Sequence, residues 1–76
     1  VSNPLRHKRL IEAERQISDA MSHQQLAAAE ENGAAVVAML YGLGCINHDE
    51  AEHARQYLAT SVRTVRTTLM RRAVAA

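Results

Sequence analysis

Residues 45–53 read CINHDEAEH: one cysteine, two histidines and three carboxylates within nine positions. Such side chains can hold a metal ion or drive nucleophilic chemistry, so the spacing decides. His48 and Glu52 are four apart, as are Asp49 and His53. Each pair can share one face of a helix and offer two ligands. A structural zinc site wants four ligands, and a catalytic one three plus water. The order His-x-x-x-Glu-His does not put both histidines on one face, and His7 and His23 lie far off in the chain. No metal ligand set is assigned. Cys45 just before a helix N-terminus, with His48 nearby, has the ingredients of an activated thiol. Catalysis also needs a pocket, an orienting group and an oxyanion site, and alanine-rich helix faces leave little concave volume. No catalytic residue is assigned, no cofactor is expected, and the expectation is a protein that is not an enzyme.

The same residues have a simpler role. Asn47 is an N-cap and Glu50, three residues on, its capping-box partner. Ile46 and Ala51 stand where a hydrophobic staple belongs. Asp49, Glu50 and Glu52 suit the positive end of a helix dipole. The stretch thus reads as a turn and the opening of a helix.

The elements around it are helical. Fourteen of the 76 residues are Ala, the strongest helix former. The lone Pro and the three Gly fall at positions 4, 33, 42 and 44. Asn3-Pro4 marks one start, and Gly42 and Gly44 mark an end. From the cap at Asn47 a second helix runs to about residue 72, striped by Ala51, Ala54, Leu58, Val62, Val65 and Leu69 at helical spacing. The short link between the helices implies an antiparallel hairpin.

Residues 4–43 carry two stripes. At about 100° per residue, Leu10, Ala13, Ile17, Met21, Ala28, Ala35 and Met39 lie within about 60° of one line. Leu26, Ala29, Gly33, Val36, Val37, Leu40 and Leu43 form another, confined to the later half. The expectation is an all-α hairpin: a first helix of about 4–43, a second of about 48–72. The later stripe then meets the second helix, and the continuous stripe meets a second copy. That makes a homodimeric four-helix arrangement, with the seven residues from Leu10 to Met39 as its self-association face. The alternative is a monomeric three-helix bundle with a break near 19–25, where Ser22 and Gln25 can form a capping box.

Composition bounds the rest. Seventy-six residues make a single small domain, 1–76, of marginal stability alone. A single cysteine forbids an internal disulfide and fits the cytoplasm. The longest nearly apolar run, residues 33–46, is too short to cross a bilayer, so no membrane association is expected.

Charge is segregated although the net is only +1. Residues 21–53 hold five acids and no Lys or Arg; residues 54–76 hold five Arg and no acid. In an antiparallel hairpin, Arg63 then reaches Glu30 or Glu31, and Arg72 lies near Asp19. The expected function is a small non-enzymatic interaction or regulatory module (adaptor, chaperone-like or anti-activator type) acting on a protein partner through helix faces. Tyr41, off both apolar stripes, is the candidate partner-binding residue. The alternative is a small dimeric DNA-binding regulator using Arg6, Lys8, Arg9, Arg55, Arg63 and Arg66. The near-neutral net charge weighs against it.

Overall fold

A computed structural model describes residues 7–75 and divides the expected first helix in two. Three helices result: α1 (Lys8–Ser18), α2 (His23–Gly42) and α3 (His48–Ala75). The described residues contain no strand. The all-α class holds. The two-helix hairpin with an unbroken helix of 4–43 does not, and the three-helix arrangement with a break inside 19–25 takes its place.

The break is capped on both sides. Asp19 closes α1, its N–H donating to the Arg15 carbonyl at 2.9 Å and the next N–H, that of Ala20, donating to the Ile17 carbonyl at 3.2 Å. Ser22, in an extended conformation, opens α2, and its Oγ accepts from the Gln25 N–H at 3.1 Å. Gln25 reaches back, its Oε1 accepting from the Met21 N–H at 2.7 Å. The expected Ser22–Gln25 box is therefore present, with the return bond one residue earlier than in the standard motif. Burial explains the break. A straight helix would leave Leu10 and Ile17 of a single chain in water. Folding back at Asp19 buries both completely, with Ala13 between them. Each large side chain buried contributes about 1.5–3 kcal/mol. The few helical hydrogen bonds interrupted are worth about 0.5–1.5 kcal/mol each, and the caps restore part of that. Leu10, Ala13 and Ile17 thus belong to the interior of one chain, and in this fold they offer no surface to a second copy.

The first helix starts at Lys8, later than expected. His7 is its N-cap, with Nδ1 accepting from the Arg9 N–H at 3.1 Å. The Asn3-Pro4 signal lies outside the described residues.

The α2–α3 connection matches the sequence closely. Gly44 has φ +77°, the left-handed conformation that ends many helices. Its N–H donates to Tyr41 O at 3.1 Å, and the Cys45 N–H donates to Leu40 O at 2.9 Å. These are the two bonds of a Schellman motif. Asn47 and Glu50 then cap each other: Glu50 N–H donates to Asn47 Oδ1 at 2.8 Å, and Asn47 N–H to Glu50 Oε1 at 3.0 Å. Ile46 and Ala51 are buried on either side of this box. α3 continues to Ala75, three residues past the expected end.

The core is one cluster. α2 contributes Leu26, Ala29, Val37 and Leu40; α3 contributes Ala51, Ala54, Leu58, Val62 and Leu69. Leu10 and Ile17 close it from α1. Gly33 lies where the three helices pack tightly: a Cβ there would stand 3.3 Å from Leu58 Cδ1 and 3.8 Å from Ile17 Cδ1. Among the described residues no polar or charged side chain is buried. At 28 residues, α3 is about 42 Å long and sets the 45 Å long axis of the molecule. Its last turns, with Met70 and Val74 exposed, project beyond Leu69, its last buried residue.

Candidate interaction surface

The chemistry-bearing stretch disperses once folded. Ile46 and Ala51 enter the core, while Asn47 and Glu50 bond to each other. Glu52 pairs with Arg55 one turn along. His48 sets its ring edge-on to Tyr41, with centroids 6.2 Å apart and planes at 63°. Cys45 is exposed in the turn. Among the described residues no three His, Cys, Asp or Glu side chains are grouped to hold a metal ion.

The seven residues of the continuous stripe separate into two sets. Leu10, Ala13 and Ile17 are internal; Met21, Ala28, Ala35 and Met39 lie on the surface. The α1–α2 connection causes this. It turns α1 onto α2, and α2 keeps its own second stripe for the core.

Exposed apolar residues gather around the α2–α3 turn. Met39 is 38% exposed, Tyr41 45% and Leu43 71%. They fall inside residues 32–47, which contain no Asp, Glu, Lys or Arg. On the helix Met39 and Tyr41 point about 160° apart, and the Schellman turn and the Asn47–Glu50 box follow them in the chain. Tyr41 is where the sequence expected an exposed aromatic. Leu43 was expected on the face toward the second helix and is not there. As the C-cap of α2 it keeps near-helical backbone, and its N–H still donates to the Met39 carbonyl, but the chain leaves the helix at the next residue, Gly44, and Leu43 is left uncovered. The signal that locates it is Gly44, whose left-handed turn ends the periodicity at Leu43. Tyr57 lies on the α3 flank facing α1. There it lines an open groove of about 630 Å³ with Glu14, His53 and Thr64.

The basic residues do not converge. Lys8 and Arg9 line the α1–α2 groove beside Glu12 and Asn32. Arg55 and Arg66 flank the α2–α3 side, and Arg66 lies 3.6 Å from Glu30. That interhelical pair was expected of Arg63; the observed register gives it to Arg66, and Arg63 is exposed. Arg6 lies outside the described residues. Arg72 and Asp19 line the same hollow at the far end, as expected.

Comparison with protein-family models, with curated proteins and with solved structures finds no match for this chain.

Proposed function

We propose that the protein is a small non-enzymatic interaction module that recognises a protein partner through Met39, Tyr41 and Leu43 at the α2–α3 end of the bundle. One observation carries this reading: three large apolar side chains stand partly or largely in water within a stretch that has no charge at all. Methionine and aromatic residues are enriched where proteins bind one another, and charged ones are depleted at the centre of such patches. The two capping motifs fix the backbone that follows these residues, so little backbone entropy is lost on binding. An adaptor, chaperone-like or anti-activator role suits a domain with no buried polar group among its described residues. The exposed thiol of Cys45 suits a reducing compartment such as the cytoplasm.

The test places a photoreactive residue at position 43 in cells that make the protein, with position 67 on α3 as control. A discrete adduct from position 43 that disappears with Tyr41→Ala supports the reading. No adduct, or the same one from both positions, refutes it.

A second reading, binding to duplex DNA, draws on exposed Lys8, Arg9 and Arg63, none of which has an ion-pair partner among the described residues. It is the weaker one because Arg55 and Arg66 each stand beside a carboxylate. Affinity that falls steeply with salt and is lost in Arg63→Glu/Arg66→Glu would favour it.

A further inference from the structure

α1 packs against one side of the α2–α3 pair, and the opposite side stays open. On α2, Ala27, Glu31, Ala34 and Ala38 fall within about 60° of one another; on α3, Ala59, Arg63, Arg66 and Met70 do the same. All eight are exposed. Both rows look out the same way, because Ala34 and Ala59 line one shallow apolar hollow between the helices, together with Glu30 and Arg55. The two rows differ in charge. α2 holds Glu30 and Glu31 and no Lys or Arg, whereas the chain from residue 54 onward holds five Arg and no acid. Arg66 lies 3.6 Å from Glu30. Glu31 and Arg63 have no ion-pair partner among the described residues.

We propose that this open side is a self-association face, on which a second, identically folded copy packs about a two-fold axis running along the α2–α3 groove. That axis sets α2 of each copy over α3 of the other and keeps every residue at its own height, an isologous contact. The register follows from contacts within one chain. Glu30 lies beside Arg66 and Ala34 beside Ala59, so facing residue numbers sum to about 94. The same sum holds across the interface. Glu31 then stands opposite Arg63 of the second copy, and Arg63 opposite the second copy's Glu31. The two charges left unpaired in one chain are thus paired twice in the dimer. Ala34 meets Ala59 of the second copy, which lets the helices approach closely over the two apolar hollows. Met70, 57% exposed in one chain, comes to lie over the first turn of the other α2, near Gln24. Charge selects this pairing over α2 against α2, which would bring acids together with no Lys or Arg on either helix. The face is about 30 Å long and two helices wide, roughly 600 Å² per copy, the low end for a specific interface. The dimer fraction therefore depends on concentration. Met39 and Leu43 lie on the other flank of α2, outside this face, and Tyr41 stands at its edge.

The experiment measures mass by light scattering on the full chain, equilibrated at graded concentrations in low and in molar salt. Four chains are compared: the natural sequence, Glu31→Arg, Arg63→Glu, and the double reversal Glu31→Arg/Arg63→Glu. Both positions are exposed, so the fold is kept, and circular dichroism of each variant verifies it. Expected for the natural sequence is a dimer that grows with concentration, its midpoint moving several-fold higher in molar salt. Each single reversal sets like charges opposite one another and moves the midpoint higher by about tenfold or more. The double reversal restores an opposite-charge pair and returns the midpoint close to that of the natural sequence. A natural sequence that stays monomeric at every concentration overturns the proposal and leaves the face to a different protein. A dimer indifferent to both single reversals also overturns it, since that contact would lie elsewhere. So does a double variant as weak as the single ones, because the two-fold pairing of Glu31 with Arg63 requires rescue. None of these chains alters Met39, Tyr41 or Leu43, so the readouts stand apart from the partner-binding test.

Discussion

Two glycines near the end of α2 have opposite roles. Gly42 is helical and a Cβ there would meet nothing within 4 Å. Gly42→Ala is therefore expected to stabilise the fold by about 0.5 kcal/mol, because glycine loses more backbone freedom on folding. Gly44 also has open space around it, but its φ of +77° disfavours any side chain. Gly44→Ala is expected to cost about 1 kcal/mol. Chemical denaturation of the two variants reads both signs, and equal shifts would contradict the assignment of Gly44 as the left-handed residue. Gly33 differs from both, since it has neighbours at the helix crossing. A shallow apolar hollow of about 170 Å³ lies beside Leu58 and Ile17. That gives Leu58 room for the small shift an alanine at Gly33 would require.

At the level of the helices, α1 is the informative element. It is only 11 residues long, too short to be stable alone, so its helicity depends on Leu10, Ala13 and Ile17 reaching the core. Ile17→Ala is expected to destabilise the protein by about 2–5 kcal/mol, the range for a large aliphatic truncated in a packed core. A loss under about 1 kcal/mol, measured by urea unfolding, would instead place Ile17 on a surface. α3 depends on its start. Asn47→Ala removes the acceptor for the Glu50 N–H and is expected to cost about 1 kcal/mol. Along α3, the hydroxyls of Thr60, Thr64, Thr67 and Thr68 donate to carbonyls four residues back. These β-branched residues thus keep their polar groups satisfied within the helix.

For the molecule as a whole, electrostatics contribute little and shape is set by one helix. The Arg66–Glu30 pair is about half exposed on both sides, and such pairs are worth about 0–1 kcal/mol. Unfolding at low and at molar salt is therefore expected to give stabilities within about 1 kcal/mol of each other. The Cα radius of gyration is 13.1 Å, above the roughly 11 Å typical of a chain this long, because α3 outreaches the other two helices. Dilute-solution scattering close to the observed value would agree with the folded-back chain.

Much of this was legible in the residues alone. Gly44, Asn47, Glu50 and the α3 stripe specify the α2–α3 connection through backbone conformation and short-range hydrogen bonds. Such local causes act within a few positions and leave a local signature. Ser22 and Gln25 likewise announced a possible break. Whether the chain uses it was not legible, because an in-phase stripe from Leu10 to Met39 serves a straight helix and a folded one alike. Only the tertiary structure chose, by finding in α2 and α3 an apolar surface for Leu10 and Ile17. The same choice decided the surface: with α1 folded back, Met21 and Ala28 stay in water. Local propensity is short-ranged, whereas the burial that selects among in-phase alternatives is a property of residues far apart in the chain.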